Sequence, residues 1–365
     1  MDFIKYPSID TTTKPRYSKN PADKWIVTEK VHGANFGIYL DLTNIGKEGW
    51  IKMAKRTGFL TDSDKLQFPC DDWLLANLDN LEQTAMNTLA HIGTDSIQPG
   101  TYIVIFGEFY GGWYPTNPSE WRGSKSLPNE LKAYAATHDG TRPRPIQWDI
   151  YYSNTYEFVC FDMLVIDPGS RPVRADGQPV LASEVVRYQN WLPHEFVRAQ
   201  PIPQVPIMFS GSLAECLEFA NSGAKYVNSA VPQQLHGYPE LAPGTNIIEG
   251  VVVSPATGAH FSYKIKNRAF QETVKTAHIP KKDHAEPTGH PFLGYITQNR
   301  WNAVRSKYGV IGLLELKTAF EADALEDFTS ENPDAKPPNL DTKYIRFALD
   351  KFYSELGALD ESILQ

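Results

Sequence analysis

Lys30 closes an alternating run from Trp25 and is followed at once by His32-Gly33 and Asn35-Phe36. Five more polar signatures come after it in order: Ala54-Lys55-Arg56-Thr57-Gly58, Phe106-Gly107-Glu108, Phe161-Asp162, Glu249-Gly250 and Lys264-Ile265-Lys266-Asn267. A lysine amine attacks phosphoryl and carbonyl centres once it has lost its proton. At the ordinary lysine pKa of about 10.4 that loss costs roughly 4–5 kcal/mol at neutral pH. Nearby cations and partial desolvation lower the cost. Arg56, in a short polar turn, has the fork geometry that grips a phosphate. Glu108 and Glu249 end or interrupt apolar runs, where a carboxylate is costly unless it is paired, hydrogen-bonded or bound to a metal. Lys264 and Lys266 share a strand face, and two ammonium groups side by side repel unless an anion lies between them. Taken singly, each residue has an ordinary explanation. Lys30 would be a surface strand end, Arg56 an exposed turn residue and His32 a structural one. Glu108 and Glu249 would be strand-edge carboxylates turned to solvent, Phe161 a core ring and Asp162 a turn acid. Held together, a lysine nucleophile, further cations and two carboxylates would suit chemistry on phosphates.

These groups need strands to hold them. Residues 25–41 read as two short strands around a turn at His32-Gly33. Alternation puts Ile26, Thr28, Lys30 and His32 on one face, with Trp25, Val27, Glu29 and Val31 on the other. Residues 101–109, 157–166 and 246–253 are further apolar strands, and Phe261–Lys266 alternates again. Helical periodicity is weaker, at 72–90 and 212–220. The fold class implied is α+β, built on antiparallel sheets. The Trp-, Pro- and Gly-rich stretch between Glu108 and Phe161 is too long for a hairpin and reads as an insertion, and 167–180 as a second excursion.

Beyond about residue 270 the pattern becomes helical. Trp301, Val304 and Tyr308 are spaced for a helix stopping at Gly309. Leu313, Leu316, Phe320 and Ala324 suggest a second helix, then an acidic Pro-rich linker over 329–340. Ile345, Ala348, Phe352 and Leu356 suggest a third, capped by Asp341 and closed by Gly357. The domain division expected is 1–275 and a small helical domain at 286–365.

A chain of 365 residues with 41% hydrophobic content is ordinary for a globular protein. No apolar stretch reaches the length of a membrane span, and the first thirty residues lack a secretory apolar core. Cys70, Cys160 and Cys216 are widely scattered, which fits neither a disulfide framework nor a zinc site. A cytoplasmic or other reducing compartment is the expectation. The net charge of −8 argues against a non-specific nucleic-acid coat. Two local basic groups remain: Lys264, Lys266, Arg268, Lys275, Lys281 and Lys282, and Arg122, Lys125, Lys132, Arg142 and Arg144.

The six signatures, in this order, resemble the nucleotidyltransferase motifs of ATP-dependent polynucleotide ligases. The His-Gly-x-Asn-Phe form of the first looks like the RNA ligase 2 family, which includes the kinetoplastid RNA-editing ligases. The agreement is closest over Glu29–Leu40, and Gly211–Leu217 and Asn246–Val253 also look like that branch. Ser254 departs from it, standing where phage-type members carry a basic residue. The resemblance covers about residues 1–270. It implies an ATP-grasp-like nucleotidyltransferase domain of antiparallel sheets flanked by helices, followed by an all-α C-terminal domain.

The resemblance also implies residue roles. Lys30 would be the nucleophile that takes AMP from ATP, with Mg²⁺ (or Mn²⁺) held by Glu249. Lys264, Lys266 and Arg56 would neutralise phosphate charge, and Arg56 would alternatively touch ribose or the RNA 5′-phosphate. Glu108 would bind ribose, Phe161 would stack on adenine, and Glu29, Val31 and Asn35 would fix base and phosphates. His32 would serve strand joining. The partners implied are RNA with 3′-hydroxyl and 5′-phosphate ends, duplex or nicked, and a protein bound by the C-terminal helices. A DNA ligase or a GTP-using capping enzyme shares the lysine chemistry, though those usually carry aspartate where this chain has His32. A catalytically silent nucleotide- or RNA-binding subunit is the reading of a different class.

Overall fold

A computed structural model describes residues 1–7, 9, 24–66, 68–93, 97–112, 145–147, 150–167, 191–224, 227–256, 262–267, 290–308, 312–332 and 335–360. The chain divides into two compact units, Met1–Ala269 and Phe270–Gln365.

The first unit carries two antiparallel sheets. Strands β1 (Trp25–Lys30) and β2 (Ala34–Asp41) are joined by the short turn Val31–Gly33, yet they belong to different sheets. With β3 (Ile51–Lys55), β4 (Gly58–Phe59), β5 (Tyr102–Gly111) and β6 (Tyr156–Ile166), β2 forms a five-stranded sheet in the order β4-β3-β2-β5-β6. With β7 (Ile207–Gly211), β8 (Gly250–Pro255) and β9 (Tyr263–Lys266), β1 forms a four-stranded sheet in the order β7-β1-β8-β9.

Helices α1 (Asp71–Ala76) and α2 (Leu78–Ile92) bury Trp73, Leu81 and Ala85 against one face of the larger sheet, with Phe36, Ile38, Ile103, Ile105 and Phe158. The other face packs Tyr39, Val104, Phe106 and Leu164 against the N-terminal residues Phe3, Ile4 and Tyr6. Tyr39 donates its hydroxyl to the Ile4 carbonyl at 2.8 Å and accepts from Ile4 N at 3.0 Å, so both polar ends of that buried contact are satisfied. Helix α3 (His194–Arg198) adds Val197 to the first core. Helix α4 (Leu213–Glu218) starts with a reciprocal capping box between Ser212 and Glu215 and covers the smaller sheet with Cys216. Helix α5 (Val231–His236) ends at Gly237 in the left-handed region, φ 65°.

In the second unit, α6 (Gln298–Tyr308), α7 (Leu313–Glu331) and α8 (Lys343–Asp360) enclose Trp301, Phe320, Phe328, Ile345, Leu349 and Tyr353. Arg300, only 1% exposed, is paired with Asp323 at 2.6 Å and Asp327 at 2.8 Å. A buried guanidinium is tolerable only with such partners.

Several expectations shift. The strand placed at 246–253 begins at Gly250, because the backbone before it pairs elsewhere: Ser229 N donates to Asn246 O and Ile248 N to Val227 O. Asp162 lies inside β6 and is no turn acid. The helical stretch 72–90 is two helices meeting at Asn77, and 212–220 becomes a six-residue helix running into a π-turn at Phe219–Gly223. Helix α7 runs three residues into the expected linker, to Glu331. Helix α8 starts at Lys343, two residues after Asp341, with Arg346 N donating to the Thr342 carbonyl, and it continues through Gly357. Phe261 and Gly309 lie outside the described residues, as do 113–144, most of 167–180, and every basic candidate but Lys264 and Lys266.

Gly107 sits where β5 and β6 slip in register: Phe106 faces Asp162 while Gly107 faces Cys160. A Cβ there would overlap the Val159 carbonyl and the Phe158 ring. Gly107→Ala should therefore cost at least about 1–3 kcal/mol, the usual range for overpacking, read as a lower denaturant midpoint at unchanged slope.

Candidate functional site

The register of the smaller sheet assembles the site. Lys30 faces Gly250, and Gly250 faces Lys266, so the three form one row across β1, β8 and β9. Directly opposed residues in an antiparallel sheet share a face. Gly250 in the middle has no side chain, and a Cβ there would meet the Ile265 carbonyl and, at 2.8 Å, Lys266 Cα. The next row carries Thr28, Val252 and Lys264 on the same face. The opposite face, apolar apart from Glu29, holds Val27, Val251, Val253 and Ile265.

Glu249, just before β8 and 3% exposed, gathers the cations of this row. Its Oε2 lies 2.6 Å from Lys30 Nζ and 3.2 Å from His32 Nδ1, and its Oε1 lies 3.1 Å from Lys266 Nζ. Burial alone would raise its proton affinity, but Lys30, Lys266 and His32 outweigh it and hold the carboxyl well below the usual range. Removing a carboxylate from water costs several kcal/mol, so this one is ionised only because cations surround it.

Glu108 sits across the ladder from Asn35 and accepts from Gly33 N at 3.1 Å. Burial pushes its carboxyl up to about 7, opposed by Lys30 and Arg56 and reinforced by Glu249. Arg56 follows β3 in the turn to β4. The preceding Lys55 is pinned to buried Asp64 at 2.6 Å, and Asp64 also accepts from Thr61 N.

Phe161 is the extra residue of the β5–β6 register shift. A bulge re-aims side chains, and Phe161 packs with Asp162 on the side of Tyr6, whose ring meets it edge-on at 5.0 Å. Tyr6 donates to Asp162 Oδ2 at 3.2 Å, and Met163 N donates to Oδ1. Burial still pushes Asp162 up to about 8.

The structure thus brings Lys30, His32, Glu249 and Lys266 into contact, with Glu108 bonded to the same turn and Lys264 one row away. Glu29 and Val31 stand apart. The Glu29 side chain lies on the other face of β1 and accepts from Ala230 N at 2.9 Å, and burial pushes it up to about 7. Val31 is buried. Ser254, the departure noted above, is bonded to Ser262 at 2.8 Å.

Sequence reasoning missed Gln147, Tyr152 and Asn246. Gln147 Nε2 donates to Gly33 O at 3.1 Å and Tyr152 accepts from His32 N at 2.7 Å. Asn246 exchanges two hydrogen bonds, both 2.8 Å, with the Tyr151 backbone. The first two lie in an irregular segment without periodicity, and their residue types carry no signal there. Asn246 stood in a stretch read as strand. Among the described residues no group of three or more His, Cys, Asp or Glu could hold a metal, and no helix is long and apolar enough to cross a membrane.

Residues 23–267 match the family model described as RNA ligase, a span that includes every site residue named above from Glu29 to Lys266. "RNA-editing ligase 2, mitochondrial" of Trypanosoma brucei brucei is 28% identical over 169 residues, covering 44% of this chain and 36% of that protein. "RNA-editing ligase 1, mitochondrial" of Trypanosoma brucei brucei is 27% identical over 333 residues, covering 85% and 63%. The chain spans less than two thirds of the length of either relative. A Naegleria gruberi RNA ligase mutant with AMP and Mn matches at 14% identity and TM-score 0.35, covering 73% of this chain and 56% of that one. A Naegleria gruberi RNA ligase with PPi matches at 14% identity and TM-score 0.33, covering 74% and 59%.

Three carboxyls, the buried Glu29 and Asp162 and the half-buried Glu108, keep their protons to about 7, 8 and 7. The unfolded chain loses them near pH 4. The folded state therefore binds more protons in between, and that stabilisation is complete below about pH 4 and lost as pH rises through 7–8. The thermal midpoint of the ligand-free protein should fall between about pH 5 and 8.5. Asp162→Asn should make the fall shallower, measured by circular dichroism at a series of pH values.

Proposed function

This chain belongs to the RNA ligase family, and from that premise we propose that it is an ATP-dependent RNA ligase sealing 3′-hydroxyl to 5′-phosphate ends at nicks in duplex RNA. The observation that carries the reading is Lys30 Nζ, 2.6 Å from a buried carboxylate that Lys266 and His32 also hold. An amine kept in a cationic, partly buried setting is a competent nucleophile toward phosphorus.

In the proposed sequence, Lys30 Nζ loses a proton and forms an N–P bond to the α-phosphorus of ATP, and pyrophosphate leaves with the electrons of the broken P–O bond. An oxygen of the RNA 5′-phosphate then attacks that phosphorus, and the N–P bond breaks to return the lysine. Finally the 3′-hydroxyl, giving up its proton, attacks the adenylylated 5′-phosphorus and expels AMP.

Lys264, Lys266 and Arg56 are the groups proposed to neutralise the phosphates during these transfers. Phe161, re-aimed by its bulge, is proposed to stack on adenine, with Glu108 and Asn35 on the ribose and phosphates. Glu29 and Val31, off the phosphate face, would border the base. His32 would serve the joining step. Glu249 is the residue that would hold a divalent metal. One carboxylate suits an Mg²⁺ that keeps waters and takes its other oxygens from phosphates. Such an ion supplies charge neutralisation to the transferring phosphoryl group.

We assign residues 286–365 to a separate helical domain that would take duplex RNA or a protein partner. The three free, buried thiols, Cys70, Cys160 and Cys216, suit a reducing compartment.

The test is sealing of a nicked RNA duplex beside the same nick in DNA, with ATP or GTP. Sealing of RNA with ATP, falling to background in Lys30→Ala, is the expected result. Sealing only of DNA, or use only of GTP, would move the chain to the DNA ligase or capping branch. Binding of ATP and RNA without turnover would make it a silent subunit.

A further inference from the structure

Side chains hold the turn from β1 to β2. His32 N donates to the Tyr152 hydroxyl at 2.7 Å, Gly33 N to Glu108 Oε1 at 3.1 Å, and Gly33 O accepts from Gln147 Nε2 at 3.1 Å. The turn has little freedom beyond this, since a Cβ at Gly33 would overlap the Phe109 carbonyl and meet Glu108 Cγ at 2.8 Å. Two of the three contacts come from the segment that enters β6. That segment is itself fastened: Ile146 N donates to Gly111 O at 2.9 Å, and Asn246 clasps the Tyr151 peptide from both sides. Asn246 lies three residues before Glu249. The clasp therefore ties the approach to the carboxylate to the same segment that fixes the His32 backbone.

Tyr152 is 0% exposed, with its ring packed edge-on against Tyr110 at 5.3 Å, so its hydroxyl cannot wander. A backbone N–H fixed by a rigid phenol fixes the direction in which its own side chain leaves the chain. Here that direction carries His32 Nδ1 to 3.2 Å from Glu249 Oε2, the oxygen that also holds Lys30.

We propose that Tyr152 is a positioning residue of the ligase reaction: through the His32 backbone N–H it sets the imidazole against the Glu249–Lys30 pair. Gln147 does the same for the next peptide. This rests on the ligase reading above. A purely structural tyrosine would lower stability when its hydroxyl is removed, and would slow catalysis irrespective of His32. A positioning tyrosine acts only while His32 is there to be positioned.

The experiment is a double-mutant cycle on the full chain with Tyr152→Phe, His32→Ala and the pair. Two single-turnover rates are read: formation of the covalent protein–AMP adduct from ATP, and sealing of a nicked RNA already carrying 5′-AMP. Tyr238→Phe serves as control, because it too removes one tyrosine hydroxyl bond to the same segment, the one donated to Asn154 Oδ1 at 2.8 Å, away from the turn. The step slowed by His32→Ala should slow about tenfold in Tyr152→Phe, the equivalent of roughly 1.4 kcal/mol, at little changed KM for ATP. Tyr152→Phe should then add less than about twofold in the His32→Ala background. Equal losses in both backgrounds, a matching loss in Tyr238→Phe, or no slowing by His32→Ala in either step would overturn the proposal. Failure of the wild type to form any adduct would instead sink the ligase reading itself.

Discussion

Glu249 is an acid that the protein has taken out of water and then surrounded. Its two oxygens are shared among Lys30, His32 and Lys266, and nothing else in the first unit concentrates so much charge in so small a volume among the described residues. A lone carboxylate at 3% exposure would take up a proton. Three lysines crowded on one sheet face, with no counterion, would repel each other and unzip the edge strand. Each half of the cluster is tolerable only because of the other, and both halves need strands in register to meet. The same mutual need makes the cluster responsive: a polyanion arriving at Lys266 and Lys264, or a cation arriving at Glu249, competes with contacts already made.

The frame can be read as a set of devices that keep this meeting in place. Gly250 lets β9 close on β8, so that Lys30 and Lys266 flank an empty position and both reach Glu249. The three-residue turn at Val31–Gly33 carries the chain from one sheet to the other directly after Lys30. The slip at Gly107 frees Phe161 from the ladder and turns it toward Tyr6 and Asp162. Asn246 ties the approach to β8 to the segment before β6, and Tyr152 ties that segment to the β1–β2 turn. Buried carboxylates, which are a cost elsewhere, stand where the proposed chemistry would occur.

Much of this was legible in the chain itself. Strict alternation through Trp25–Lys30 put Lys30 and Glu29 on opposite faces, and the register bears that out. The pairing of Lys264 with Lys266 on one face follows from the same period. The clasp of Asn246 and the phenol of Tyr152 were not legible, since a single asparagine or tyrosine in an aperiodic stretch has no pattern to betray it. Asp162 looked like a turn residue because aspartate disfavours strands, and a bulge with a tyrosine donor overrides that preference. The start of β8 was misplaced because Asn246–Ile248 is as apolar as a strand but pairs its backbone with Val227 and Ser229 instead. In the helical unit, periodicity found the three helices α6, α7 and α8, while the end of the last was misplaced, since that helix runs through Gly357 to Asp360.

The central claim is that the amine of Lys30, and no other, takes up the nucleotide. The most direct measurement is mass spectrometry of the protein after incubation with ATP and Mg²⁺, intact and then as peptides. The account predicts one added AMP, acid-labile and located on the peptide carrying Lys30. An unmodified protein shown to be free of prior AMP, or an AMP found on a different lysine, would contradict it.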